Sequence, residues 1–121
     1  MSAKRILLVE DEALIALYTE ETLIDAGYQV VGPASRLEAA LRLAADETLD
    51  AAVLDVNLDG VAVWPVAALL QERGIPFLFL SGFGGSLSAP ANCRDVPCVS
   101  KPFKEDVLLD TLAGVCGSMC A

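Results

Sequence analysis

Histidine is missing from this chain, and its four cysteines, Cys93, Cys98, Cys116 and Cys120, form no CxxC pair. A zinc site assembled from imidazoles and paired thiolates is therefore excluded. The thiols read as buried or incidental, with Cys116 and Cys120 spaced to share the last helical turn. Cationic side chains are scarce: 8 Lys plus Arg stand against 17 Asp plus Glu, for a net charge of −9, and no basic stripe runs along the sequence. Direct nucleic-acid binding is not expected of such a chain. Long apolar runs are missing too. "MSAKRILLVEDE" offers only a short one before its acids, too short for a signal peptide or a membrane span, so a cytoplasmic protein with no membrane association is expected. Linkers and low-complexity tracts are likewise absent, and residues 1–121 read as one domain with no output domain attached.

Apolar residues, in contrast, are plentiful. They make up 55% of the chain against 21% charged, a balance that suits a sheet covered on both faces. Short apolar runs alternate with longer amphipathic stretches: Ile6 to Val9, Gln29 to Val31, Ala52 to Leu54, Phe77 to Leu80, and Cys98 with Val99. That alternation predicts an α/β fold, a doubly wound five-stranded parallel sheet with crossover helices on both faces. The first helix places Ile15, Thr19, Thr22, Leu23 and Ala26 on one face and stops at Gly27. "SRLE" predicts a capping box from Ser35 and Glu38 for a second helix running to about Glu47. Pro65 opens the third helix and Gly74 closes it. "GFGGSLSAPANCRDVP" predicts a short irregular helix or mostly loop. The last helix buries Leu108, Leu112 and Val115, with Glu105 and Asp106 in its first turn.

Ligands of open α/β sheets bind beyond the carboxyl ends of the strands. Here those ends carry Glu10 and Asp11, Asp55, Ser81 and Lys101, while the second strand ends in "VGPAS" with nothing comparable. Each residue alone has an ordinary reading: a strand-terminal Asp caps a turn, Ser81 is a loop hydroxyl, Lys101 is a solvated base. Right-handed crossovers nevertheless bring all of these ends to one edge, so the three carboxylates, a hydroxyl and an ammonium converge. Acids so close raise one another's pKa unless a cation compensates. Mg²⁺ suits a few carboxylates that leave it several waters. One carboxylate can then act as nucleophile while the metal and Lys101 neutralise incoming phosphoryl oxygens.

In this arrangement the whole chain resembles the receiver domain of two-component response regulators. "LLVEDE" is similar to that family's acidic pair, "LDVNLDG" to its phosphoacceptor segment, "FLSG" to its hydroxyl position and "SKPF" to its lysine. The four segments, weak singly, occur in order and at matching separations. The resemblance implies the flavodoxin-like receiver fold with strand order 2-1-3-4-5. It also implies a protein that catalyses only its own phosphorylation and dephosphorylation. Asp55 would take the phosphoryl group from a phosphohistidine on a sensor histidine kinase or phosphotransfer protein. Asp11, Glu10, Asp55 and the backbone carbonyl of Asn57 would hold Mg²⁺ or Mn²⁺. Ser81 and Lys101 would bind the phosphoryl group, and Pro102 matches a proline that is commonly cis. Without an output domain, such a protein would present a phosphorylation-dependent surface to an unknown downstream protein or drain phosphoryl groups from a kinase.

The chain also departs from the family pattern. Cys98 stands where receivers usually carry a switch aromatic. "PFLFLSGFG" instead resembles the PFxFATGUY segment of a receiver subclass that includes single-domain members. It matches at Pro76, Phe77, Phe79, Gly82 and Phe83 and differs at Leu80, Ser81 and Gly84. Phe83, two residues after Ser81, is expected to restrict water and slow dephosphorylation, and the loop from Gly82 to Ser86 to order on phosphorylation. Two other readings use similar residues. A Mg²⁺ phosphatase of the haloacid-dehalogenase type would place its acidic pair after the lysine, whereas here the pair precedes it. A receiver-like module that binds partners without phosphorylation would not need Glu10, Asp11, Asp55, Ser81 and Lys101 together.

Overall fold

The structure, a computed structural model, describes residues 3–82, 93 and 95–120, the side chains of 117–120 excepted. In chain order the elements are β1 (Arg5–Val9), α1 (Ala13–Asp25), β2 (Gln29–Ala34), α2 (Leu37–Asp46), β3 (Ala51–Asp55), β4 (Asn57–Leu58), β5 (Val61–Ala62), α3 (Trp64–Glu72), β6 (Phe77–Ser81), β7 (Cys98–Ser100) and α4 (Glu105–Cys120). Five strands form a parallel sheet ordered β2-β1-β3-β6-β7, and β4 pairs with β5 in a separate antiparallel hairpin. Counting the sheet strands alone, this is the expected order 2-1-3-4-5.

β3 and β6 are buried at every residue and β1 at all but its first, which is why these strands read as unbroken apolar runs. Period-two alternation then divides the core. Leu7, Val9, Ala52, Leu54 and Phe79 face α2 and α3, where Ala40, Ala44, Val66 and Leu70 meet them. Ile6, Leu8, Val53, Leu78 and Leu80 face the other way, toward Leu23 of α1 and the expected Leu108, Leu112 and Val115 of α4.

Helix ends follow local chemistry. Gly27 (φ 96) and Gly74 (φ 70) stop α1 and α3 as expected, each in a Schellman arrangement: Tyr28 N–H donates to Leu23 O and Ile75 N–H to Leu70 O. Pro65 lies in the first turn of α3. On α1, Thr19 and Thr22 are buried because their hydroxyls donate to Ile15 O and Tyr18 O one turn back.

Three expectations need correction. The Ser35–Glu38 capping box does not form: α2 begins one residue later, Arg36 is its N-cap, and no side chain caps it. Glu38 still sits in the first turn, where its charge suits the helix dipole. β2 runs three residues further than Val31, through a cis Gly32–Pro33 bond and a register irregularity against β1. Gly32 is required there, because at φ 104 an added Cβ would lie 2.8 Å from both Leu8 O and Ala34 N. Lastly, Ala26 of the expected buried face of α1 is exposed as the C-cap, and Ala16 is buried instead. The segment expected to be irregular helix or loop, with Phe83 and Gly84, lies largely outside the described residues. No helix among the described residues is long and apolar enough to cross a membrane.

Candidate functional site

β1, β3, β6 and β7 all end at the same edge of the sheet, and the groups that follow them surround a cavity of about 320 Å³. Asp55 closes β3, Ser81 closes β6, Lys101 follows β7, and Asp11 stands just past β1; all four line the cavity. The β2 bulge contributes from outside, since Ala34 O accepts the Glu10 N–H at 2.9 Å and fixes the main chain where the acids begin. Lys101 N–H donates to Ser81 O at 2.8 Å, tying the lysine's strand to the hydroxyl's.

Charge is concentrated and buried. Glu10 is 1% exposed and Asp55 4%. The Lys101 ammonium lies 2.6 Å from Glu10 Oε1 and 3.1 Å from Asp55 Oδ2, so one cation bridges two buried carboxylates. Burial, and then the neighbouring Asp55, push the Glu10 carboxyl up to about 8, against the opposing pull of Lys101. Burial on its own would lower Lys101, but Glu10 and Asp55 more than offset it and hold the ammonium above its ordinary value. One oxygen each from Glu10, Asp11 and Asp55 falls within 4.8 Å of the others.

This donor set fits a hard divalent cation. All the candidate ligand atoms are carboxylate oxygens, and the three acids face a single ammonium, Lys101, which leaves an excess of negative charge for a cation to offset. Asn57, two residues past Asp55, lines the same cavity; its N–H donates to Asp55 Oδ1 at 3.2 Å and its side-chain oxygen accepts from Gly60 N–H at 2.7 Å.

The sequence model of the response regulator receiver domain matches residues 6–113. The chain belongs to the response regulator receiver family. Among curated relatives of this receiver, the response regulator FleR of Pseudomonas aeruginosa is 30% identical over 92% of the chain and 24% of its own length. PdtaR, a transcriptional regulatory protein of Mycobacterium tuberculosis, is 32% identical over 66% of the chain and 40% of its length. The receiver thus spans less than half the length of these curated relatives. Two solved structures are similar over nearly their whole length. SdrG of Sphingomonas melonis Fr1 superposes with a TM-score of 0.83 at 40% identity, covering 95% of this chain and 98% of that one. A receiver protein of Sinorhizobium medicae WSM419 gives 0.80 at 25%, covering 97% of each.

Within this receiver, Glu10, Asp11, Asp55, Asn57, Ser81, Gly82 and Lys101 come together as the sequence suggested. The Lys101–Pro102 bond is cis. Ser81 is buried, and its Oγ donates to Gly82 O at 3.0 Å. Pro102 lies in an adjoining apolar cavity of about 340 Å³ with Ile15, Tyr18 and Phe103. Cys98 does not reach the site: it is exposed at the start of β7, paired with Phe79. Phe83 lies outside the described residues. Sequence reasoning missed Asp59 and Gly60, which line the cavity from the tip of the β4–β5 hairpin. The dipeptide Asp-Gly was the available signal, being a favoured hairpin turn.

Proposed function

We propose that this receiver accepts a phosphoryl group on Asp55 from the phosphohistidine of a sensor kinase or phosphotransfer protein, in the cytoplasm and with a divalent cation bound. It then signals through a phosphorylation-dependent surface or acts as a phosphoryl sink. The observation that carries this reading is the bridge from Lys101 to Asp55 and Glu10 at a cavity lined by Asp11, Asp55, Ser81 and Lys101.

An oxygen of the Asp55 carboxylate forms the new O–P bond as the P–N bond of the phosphoimidazole breaks, and the departing imidazole takes up a proton. Asn57 N–H and the Lys101 ammonium each hold one oxygen of that carboxylate, which fixes its plane. Lys101 then pairs with a phosphoryl oxygen, and the Ser81 hydroxyl turns from Gly82 O to donate to another. Glu10, Asp11, Asp55 and the Asn57 carbonyl would hold Mg²⁺ or Mn²⁺, and the ion when bound would supply positive charge against the phosphoryl oxygens. Leu14, Leu17 and Tyr18 stand exposed on α1 just beyond Glu12 at the cavity rim and offer apolar area to a protein donor.

Incubation with a small phosphodonor and Mg²⁺ tests the reading by intact mass. The chain gains one phosphoryl group and Asp55→Asn gains none. No gain in either would make this a phosphorylation-independent binding module, and continuous phosphate release from varied esters would make it a phosphatase.

A further inference from the structure

The chemistry proposed above leaves one contact at the rim of the cavity unused. Asp59 N–H donates to Asp11 Oδ2 at 2.9 Å, across 48 positions of sequence. Asp59 and Gly60 are the two residues between the paired Leu58 and Val61, and both have left-handed backbones, φ 51 and φ 88. Positive φ at both central positions is the signature of a type I′ turn, which Asp-Gly adopts at little cost. Gly60 N–H donates to the Asn57 side-chain oxygen at 2.7 Å, and Asn57 N–H reaches Asp55 Oδ1 at 3.2 Å. One turn therefore touches the nucleophile at its root and the outermost acid at its tip.

Glu10 and Asp55 are buried and packed in place, while Asp11 is only half-buried. A half-exposed carboxylate samples several rotamers unless something holds it, and a donor on one oxygen orients the other. We infer that the Asp59–Gly60 turn is a positioning element for cation binding: its main-chain amide holds Asp11 in the ligating orientation, and the turn's conformation, not the Asp59 carboxylate, sets that hold. The inference rests on the cation reading of the site, which is supported by the convergence of one oxygen each from Glu10, Asp11 and Asp55 within 4.8 Å.

Mg²⁺ calorimetry and amide exchange on the full chain test it, using the unmodified protein, Asp59→Gly and Gly60→Val. Glycine keeps the positive φ and the amide, so Asp59→Gly retains Mg²⁺ affinity within about twofold. Space beside Gly60 is open, with nothing within 4 Å of an added Cβ, so valine there acts on the turn's backbone and not by a clash. A β-branched residue resists positive φ, and Gly60→Val lowers Mg²⁺ affinity by about tenfold, the usual scale for losing an outer contact to a ligand. The Asp59 amide exchanges slowly without metal in the unmodified chain and in Asp59→Gly, and quickly in Gly60→Val. Unchanged affinity in Gly60→Val with a freed Asp59 amide overturns the inference. So does a loss in Asp59→Gly well beyond twofold, or rapid Asp59 exchange in the unmodified chain. These last two outcomes decide the matter even if thermal unfolding shows Gly60→Val to be misfolded. Failure of the unmodified chain to bind Mg²⁺ at all overturns the cation reading together with this inference.

Discussion

Replacing Glu10 with glutamine makes a pH test of the buried acid. In the folded protein the Glu10 carboxyl titrates near 8, against 4.5 for an ordinary glutamate. Between those values the folded state keeps a proton that the unfolded chain has released. Stability therefore falls as pH rises through that window, and Glu10 contributes no slope below it. At about 1.4 kcal/mol per unit the separation sets a ceiling of about 5 kcal/mol. Water relaxing into the neighbouring cavity reduces the penalty, and roughly 2 kcal/mol is the expected minimum. Urea unfolding of the metal-free protein at pH 5, 6, 7 and 8 measures it, as the difference between the original chain and Glu10→Gln, which cancels the contributions of the surface acids. Glu10→Gln should gain on the original chain steadily toward pH 8. Added Mg²⁺ should restore the original chain more at pH 8 than at pH 6, because cation and proton compete for the same carboxylate. A difference that stays flat between pH 5 and 8 would refute the argument that burial and Asp55 dominate at Glu10.

Other perturbations test the frame around the site. Gly32→Ala brings a Cβ within 2.8 Å of two backbone atoms at φ 104 and should cost on the order of 2–4 kcal/mol in urea unfolding; a loss below about 1 kcal/mol would mean the β2 bulge adjusts freely. Arg73→Ala removes donors to Ala44 O and Glu47 O at the end of α2, for an expected loss of about 1–2 kcal/mol in chemical denaturation.

The sheet was legible because its central strands are buried on both faces and so read as continuous apolar runs. Gly27 and Gly74 marked helix ends because other residues resist the left-handed backbone that a Schellman turn needs. The site was legible from topology, since parallel strands with right-handed crossovers bring Asp11, Asp55, Ser81 and Lys101 to one edge whatever lies between. Other features depend on tertiary context. Gly32 and Pro33 each argue against strand, and only pairing with β1 carries β2 through them. Ser35 and Glu38 satisfy a capping pattern that fails once β2 extends to Ala34 and the helix starts a residue later. α1 has apolar residues on both sides, and packing alone decides that Leu23 is buried while Leu14 and Leu17 face outward. That Lys101 reaches Glu10 as well as Asp55 is a matter of side-chain reach that no spacing encodes.

The alternation along β1, β3 and β6 makes the sheet a partition. Side chains of the α2–α3 half and of the α1–α4 half belong to separate clusters, joined through main chain. Paired substitutions on opposite sides, such as Leu70→Ala with Leu112→Ala, should therefore sum with little coupling energy. The carboxyl edge of the sheet escapes this partition, because there Asp55 and its neighbours sit above both compartments. A covalent change at that edge is placed to bear on two otherwise separate packing systems at once.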